Sequence, residues 1–194
     1  MGNEDRSNVI VVGAGASQEF DLPTGAELTE ILQNNLAFQR SDGGLSLRPG
    51  NGRELFVALR DYAARQGKPV APLQEATLFI SENMALAPSI DNFLDTHKSD
   101  EEIVLVGKIA IANAILAAER TSKLPVDPSN IYNRMRFEEL RETWASVFFK
   151  IIVVKRDYEA FLAAISSITF ISFNYDRCIK QFFTHAARSY FRLA

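Results

Sequence analysis

The sequence predicts an α/β chain with neighbouring parallel strands, and three observations carry that prediction. The apolar run Val9-Ile10-Val11-Val12 leads directly into Gly13-Ala14-Gly15-Ala16-Ser17. A second β-branched and aromatic run, Ile168-Thr169-Phe170-Ile171-Ser172-Phe173, leads into Asn174-Tyr175-Asp176-Arg177 and then a helical pattern to about Phe191. Between the two lies a long block in which apolar residues recur at helical spacing. A continuous Val/Ile run is how a buried parallel strand reads, whereas a half-exposed strand alternates. Two strand-turn-helix junctions in one chain therefore place both polar turns at the carboxyl edge of a shared sheet, where ligands of such sheets bind.

Taken in order, the first strand is Asn8 to Val12. A helix from about Thr24 to Ala37 follows, with Thr24 as its cap and Glu27 at the capping-box position. Arg40 to Gly52 contains several glycines and Pro49 and reads as a loop. Helices are then expected over Arg53–Gln66, Pro72–Leu86 and Ile90–His97. A long apolar helix follows, opened by Ser99 with Glu102 three residues on, running to about Glu119. After a break at Pro125 to Pro128, an amphipathic segment spans Phe137 to about Val154, and Asp157–Ile165 forms a shorter helix before the second strand. The block between the strands is far longer than one crossover helix. The expected organisation is one domain over 1–194 with a helical insertion at about 53–166, forming a cap or small subdomain.

Composition narrows the function. A chain of 194 residues with 47% hydrophobic content can bury one sizeable core. Its formal charge is −3, with 24 acidic against 21 basic side chains, so no global field draws in nucleic acid or an anionic membrane, and a nucleic-acid partner is unsupported. Cys178 is the sole cysteine, which removes intrachain disulfides and thiolate-rich zinc sites and fits a reducing cytoplasm. Met1 to Ser7 is polar and acidic rather than a signal sequence, and no apolar run reaches the ~20 residues of a membrane span, so a soluble cytoplasmic protein is expected.

The glycine turn is of a particular kind. Small residues between a strand and a helix leave backbone N–H groups facing outward, which suits a phosphate. Gln18 stands where the dinucleotide fingerprint has its third glycine, and no acidic residue closes a second strand about 20 residues on, which disfavours an ordinary dehydrogenase. Nothing after Gly15 supplies the Gly-Lys-Ser/Thr ending of an ATPase loop. Two readings stand for each turn: Gly13 and Gly15 either admit a ligand or permit tight packing, and Asn174 and Asp176 either act on a ligand or cap the following helix.

Together the two motifs resemble the silent-information-regulator (sirtuin) superfamily, in particular the zinc-free, sirtuin-like NAD-cleaving domains of bacterial antiphage defence proteins. Gly13-Ala14-Gly15-Ala16-Ser17 matches that family's Gly-Ala-Gly-x-Ser, and Phe173-Asn174-Tyr175-Asp176 resembles its Asn-x-Asp turn. Asp21-Leu22-Pro23-Thr24-Gly25 and Ser89-Ile90-Asp91-Asn92-Phe93-Leu94 are similar to sequences recurring in the group. The resemblance implies a Rossmann-like sheet and an NAD site without a metal. The pyrophosphate would lie over Gly13, Ala14, Gly15, Ala16 and Ser17. Asn174 would contact the nicotinamide ribose or hold the attacking water, and Asp176 would engage the carboxamide or position Asn174.

What the resemblance implies is hydrolysis of NAD to ADP-ribose and nicotinamide by a protein expected to form homo-oligomers. Deacylation is disfavoured because one cysteine cannot build the sirtuin zinc module. The family's catalytic histidine has no counterpart here: His185 falls within the helix after Asn174, His97 lies far upstream, and neither sits in a His-Gly element. The expected fold is accordingly incomplete at its C-terminus. The alternative is a non-catalytic module that senses NAD or an ADP-ribose-type nucleotide.

Overall fold

The computed structural model describes residues 8–36, 38–41, 44–47, 52–125 and 134–193. It is a helix-rich α/β structure. Its only parallel sheet among the described residues has two strands, β1 (Asn8–Val12) and β4 (Ile168–Ser172), paired in register from Asn8 opposite Ile168 to Val12 opposite Ser172. Phe173 N–H extends the ladder by donating to the Val12 carbonyl at 3.1 Å. The inward side chains Ile10, Val12, Ile168 and Phe170 are buried or half-buried, while Val9, Val11, Thr169 and Ile171 face outward and are exposed. The apolar runs that read as strands covered on both faces are covered on one.

The chain gathers into two compact units, one of residues 1–22 with 118–194 and the other of residues 23–117. The division falls after Leu22 and between Ala117 and Ala118. The first unit holds the parallel sheet together with α1 (Ala14–Gln18), α7 (Trp144–Val153), α8 (Tyr158–Ser166) and α9 (Cys178–Phe191). Its core is aromatic: Phe20, Phe149, Phe161 and Phe182 are buried, and Phe182 packs edge-on against Phe149 with ring centres 6.5 Å apart. Edge-to-face pairs of this kind add to the apolar burial itself.

The second unit holds α2 (Gly25–Asn35), a hairpin of β2 (Phe38–Ser41) and β3 (Gly44–Leu47), α3 (Arg53–Gln66), α4 (Ala71–Asn83), a 3₁₀ turn at Met84–Leu86, α5 (Ile90–Thr96) and most of α6 (Glu101–Thr121). Leu28, Leu32, Leu55, Leu59, Ile80 and Val106 meet in its core. The capping box of α2 is formed as expected, with Thr24 N–H donating to Glu27 Oε2 at 2.7 Å and Glu27 N–H to Thr24 Oγ1 at 3.3 Å. That contact holds the Glu27 carboxyl below its ordinary range. The end of this helix expected at Ala37 lies outside the described residues, as do Pro49, Pro128 and Met1 to Ser7.

Three boundaries differ from expectation. The stretch read as a loop from Arg40 carries the end of β2 and all of β3, which pair antiparallel from Phe38 opposite Leu47 to Ser41 opposite Gly44. Helix α6 is capped by Asp100 rather than Ser99, since Asp100 Oδ1 accepts from Ile103 N–H at 3.0 Å. Helix α7 begins at Trp144 rather than Phe137, because Thr143 Oγ1 accepts from Ser146 N–H and starts the helix there, while residues 137–143 form turns.

Candidate functional site

The first junction is built on α1, a helix of five residues. Gly13 caps it in an extended conformation, φ −105° and ψ 175°, and no side chain caps its N–H groups. Neither Gly13 nor Gly15 has a positive φ. A Cβ placed on either would meet nothing within 4 Å. Neither backbone conformation nor packing among the described residues therefore requires glycine here, and the packing explanation of the turn lapses. What the two glycines leave is open space at their Cβ positions.

A helix this short cannot satisfy its own carbonyls, so the rest of the unit does so. Trp144 Nε1–H donates to the Ala16 carbonyl at 2.9 Å, and Trp144 N–H donates to Glu19 Oε2 at 2.6 Å, which seats the start of α7 on α1. The Ser17 carbonyl accepts from Phe20 and Leu22, and Asp21 turns the chain at φ 63°. Lys123 ties down the exit by donating its N–H to the Phe20 carbonyl and pairing with Asp21 at 2.9 Å. The sequence reading assigned no role to Trp144, Glu19 or Lys123. The available signal was the sole tryptophan directly after a helix-capping threonine.

Parallel pairing of β1 and β4 brings the second junction beside the first. Asn174 Nδ2 donates to the Gly13 carbonyl at 3.0 Å and to Ser17 Oγ at 2.6 Å. The Gly13 carbonyl can only accept, so the amide nitrogen must face it. That fixes Asn174 Oδ1 on the other side, where it is buried without a hydrogen-bond partner. This oxygen is the one unsatisfied buried side-chain polar atom among the described residues, and leaving such an acceptor unpaired costs about 1–3 kcal/mol.

The remaining predicted residues lie close by with different tasks. Ser17 is 0% exposed, and its hydroxyl bridges Asn174 to Cys178 Sγ at 3.3 Å, so it links the junctions from beneath. Asp176 Oδ1 accepts from Cys178 N–H at 2.9 Å and seeds α9. Arg177 is bound by Glu119 through both its backbone N–H and its guanidinium, which raises its pKa further. Burial and the neighbouring Asp176 carboxylate push the Cys178 thiol up to about 12, so it stays protonated. Ala14 and Ala16 are half-buried small residues along the turn.

The two histidines belong to different units. His185 lies two turns into α9, with Nε2 3.2 Å from Gln181 Nε2, and burial together with Arg188 lowers its pKa. His97 belongs to the unit of residues 23–117, where its Nδ1 lies 2.8 Å from the Phe93 carbonyl and its ring against those of Phe93 and Phe79. Among the described residues no group of three or more His, Cys, Asp or Glu side chains is arranged to hold a metal, and no helix is long and apolar enough to cross a membrane.

Comparison of the chain with family models, with curated proteins and with solved structures returned no match. The geometry of the two junctions is accordingly the ground for a functional reading.

Proposed function

We propose that the paired junctions bind NAD and belong to a sirtuin-like NAD glycohydrolase, of the kind that serves bacterial antiphage defence. The observation that carries the reading is the open space at the Cβ positions of Gly13 and Gly15, together with the buried, unpartnered Oδ1 of Asn174, whose amide nitrogen holds the Gly13 carbonyl. A pyrophosphate fits above the turn, where backbone N–H groups supply its hydrogen bonds and no Cβ blocks approach. An acceptor oxygen repels phosphate, so Asn174 Oδ1 serves a donor: a ribose hydroxyl or a water.

NAD hydrolysis breaks the bond between ribose and nicotinamide, adds water to the ribose carbon and yields ADP-ribose, nicotinamide and a proton. Positive charge builds on the ribose as the bond lengthens, and fixed dipoles with a carboxylate nearby stabilise it. A water donating to Asn174 Oδ1 has its lone pair free to attack. Asp176 contributes negative charge and holds the start of α9.

The exposed outer face of β1 and β4, with Val9, Val11 and Ile171, supports a covering layer on that side as in a Rossmann-like fold, because parallel strands of this composition are ordinarily covered on both sides. Helix α7 exposes Val147 and Ile151 one turn apart, and Val154 at its C-cap is exposed too, which supports self-association.

The test is Asn174→Ala in the longest protein containing this chain, followed by nicotinamide release and by calorimetry with NAD. Losing one preorganised contact to the reacting centre lowers turnover by ~10²–10³ while the NAD dissociation constant changes much less. Parallel loss of stability and activity would return Asn174 to helix capping and remove the enzymatic reading. A second reading, a sensor that binds NAD or an ADP-ribose-type nucleotide without cleaving it, draws support from Asp176 being engaged by Cys178 N–H and from His185 resting against Gln181. Tight NAD binding by this chain with no nicotinamide release would select it.

A further inference from the structure

A cavity of about 300 Å³ opens in the unit of residues 1–22 and 118–194, between α7, α9 and the turns before α7. None of Gly13 to Ser17, Asn174 or Asp176 lines it. Its interior is apolar and firm. Phe149, Val153, Phe182 and Ala186 line it and are buried, with Phe182 only 1% exposed. The rings are locked by one another, Phe149 lying edge-on to Tyr190 at 5.8 Å and Phe137 edge-on to Phe182 at 6.2 Å. The floor walled this way does not collapse easily, while the mouth, at Ser189 and Tyr190, is open to solvent.

The polar groups that line the cavity are of one charge. Arg141 and Lys150 are its ionic side chains, with Ser146, Ser189 and Tyr190 hydroxyls and no carboxylate. Arg141 shares its charge with Glu142 at 3.0 Å. Lys150 is held in place by donating to the Arg141 carbonyl at 2.9 Å, and among the described residues it forms no ion pair. An ammonium fixed beside an apolar void by a neutral carbonyl retains N–H donors for an anion.

The geometry points to a binding site for a small apolar anion: a hydrocarbon or aromatic body in the cavity with one carboxylate-type head on Lys150. Small-molecule sites of this size combine an apolar lining with a few placed polar groups in the same way. The apolar body supplies affinity by leaving water, and the single cation selects an anionic head over a neutral or cationic one. The site is separate from the paired junctions, so it stands whether or not they bind NAD.

Calorimetry on the full chain with octanoate, 4-phenylbutyrate, octanol and octylamine tests this. At least one of the two carboxylates binds with a dissociation constant on the order of 10–1000 µM, octanol binds more weakly, and octylamine does not bind. The stronger carboxylate identifies an aliphatic or an aromatic body. Lys150→Gln weakens it about tenfold with an unchanged melting temperature. Ala186→Phe fills the cavity and abolishes binding. Because that variant loads the core, Ser189→Trp at the exposed mouth serves as a second block. Equal binding of octylamine, undiminished carboxylate binding in both blocking variants, or no carboxylate binding at millimolar concentration would overturn the assignment.

Discussion

At Gly15 a side chain has room in the protein, and the same room is where the pyrophosphate is proposed to lie. Gly15→Val therefore separates folding from binding: thermal unfolding shifts by under about 1 kcal/mol, since a Cβ there meets nothing within 4 Å, while NAD affinity falls more than ~10-fold in calorimetry. Retained affinity would remove the phosphate from this turn. Cys178 makes the opposite case of a residue closed to chemistry. Burial holds its thiol near 12, so at pH 8 a thiol reagent labels the native protein far more slowly than the denatured chain, as mass spectrometry over time would show. Of the candidate residues, the glycines were legible because spacing exposes them. The burial of Ser17 and the orientation of the Asn174 amide were not, since both depend on a partner some 160 positions away in the chain, Cys178 for one and Gly13 for the other.

At the scale of elements, local signals succeeded where the cap is local and failed where the partner is distant. Thr24 with Glu27 and Ser89 with Asn92 N–H start α2 and α5 where the sequence says they should. The apolar pattern from Phe137 onward continues through a turn, and only the Thr143 cap, reinforced by Glu19 receiving the Trp144 N–H, decides that α7 starts later. Glycine is used differently in α6: a Cβ on Gly107 would lie 2.4 Å from Leu94 Cδ2 and 3.1 Å from Leu94 Cγ. Here Leu94 must give way before any side chain fits. Gly107→Val pushes α5 from α6 and destabilises the protein by roughly 1–3 kcal/mol in denaturant titration, despite the better helix propensity of valine. An unchanged midpoint would mean that Leu94 swings aside at no cost.

For the whole molecule, two buried or half-buried groups set opposite limits on the pH range of stability. The Cys178 thiol ionises near 12 in the folded chain and near 9.0 when unhindered, so its contribution is complete below pH 9.0 and is lost as pH rises from there toward 12. His185 has a folded pKa below the ordinary 6.5, so its contribution is complete above 6.5 and is lost as pH falls through the lower folded value. Melting temperature against pH should therefore fall on the alkaline side above about 9 in the wild type and much less in Cys178→Ala. An alkaline limb unaltered by that substitution would assign it to other groups.

The sequence by itself determined the class of structure and the place of the junctions. Apolar runs ending in small or polar turns define β1 and β4, and two such ends in one α/β chain imply parallel neighbours. It also determined most helices, because spacing and caps act within a few residues. Tertiary structure alone decided which face of the strands is covered, that the chain gathers as residues 23–117 apart from 1–22 with 118–194, and that Asn174 spends its amide nitrogen on Gly13 and Ser17 while its oxygen is left without a partner. The physical reason is range. Helix caps and hairpin turns are fixed by bonds spanning a few residues, whereas burial and the pairing of Asn174 with Gly13 require segments that only folding brings together.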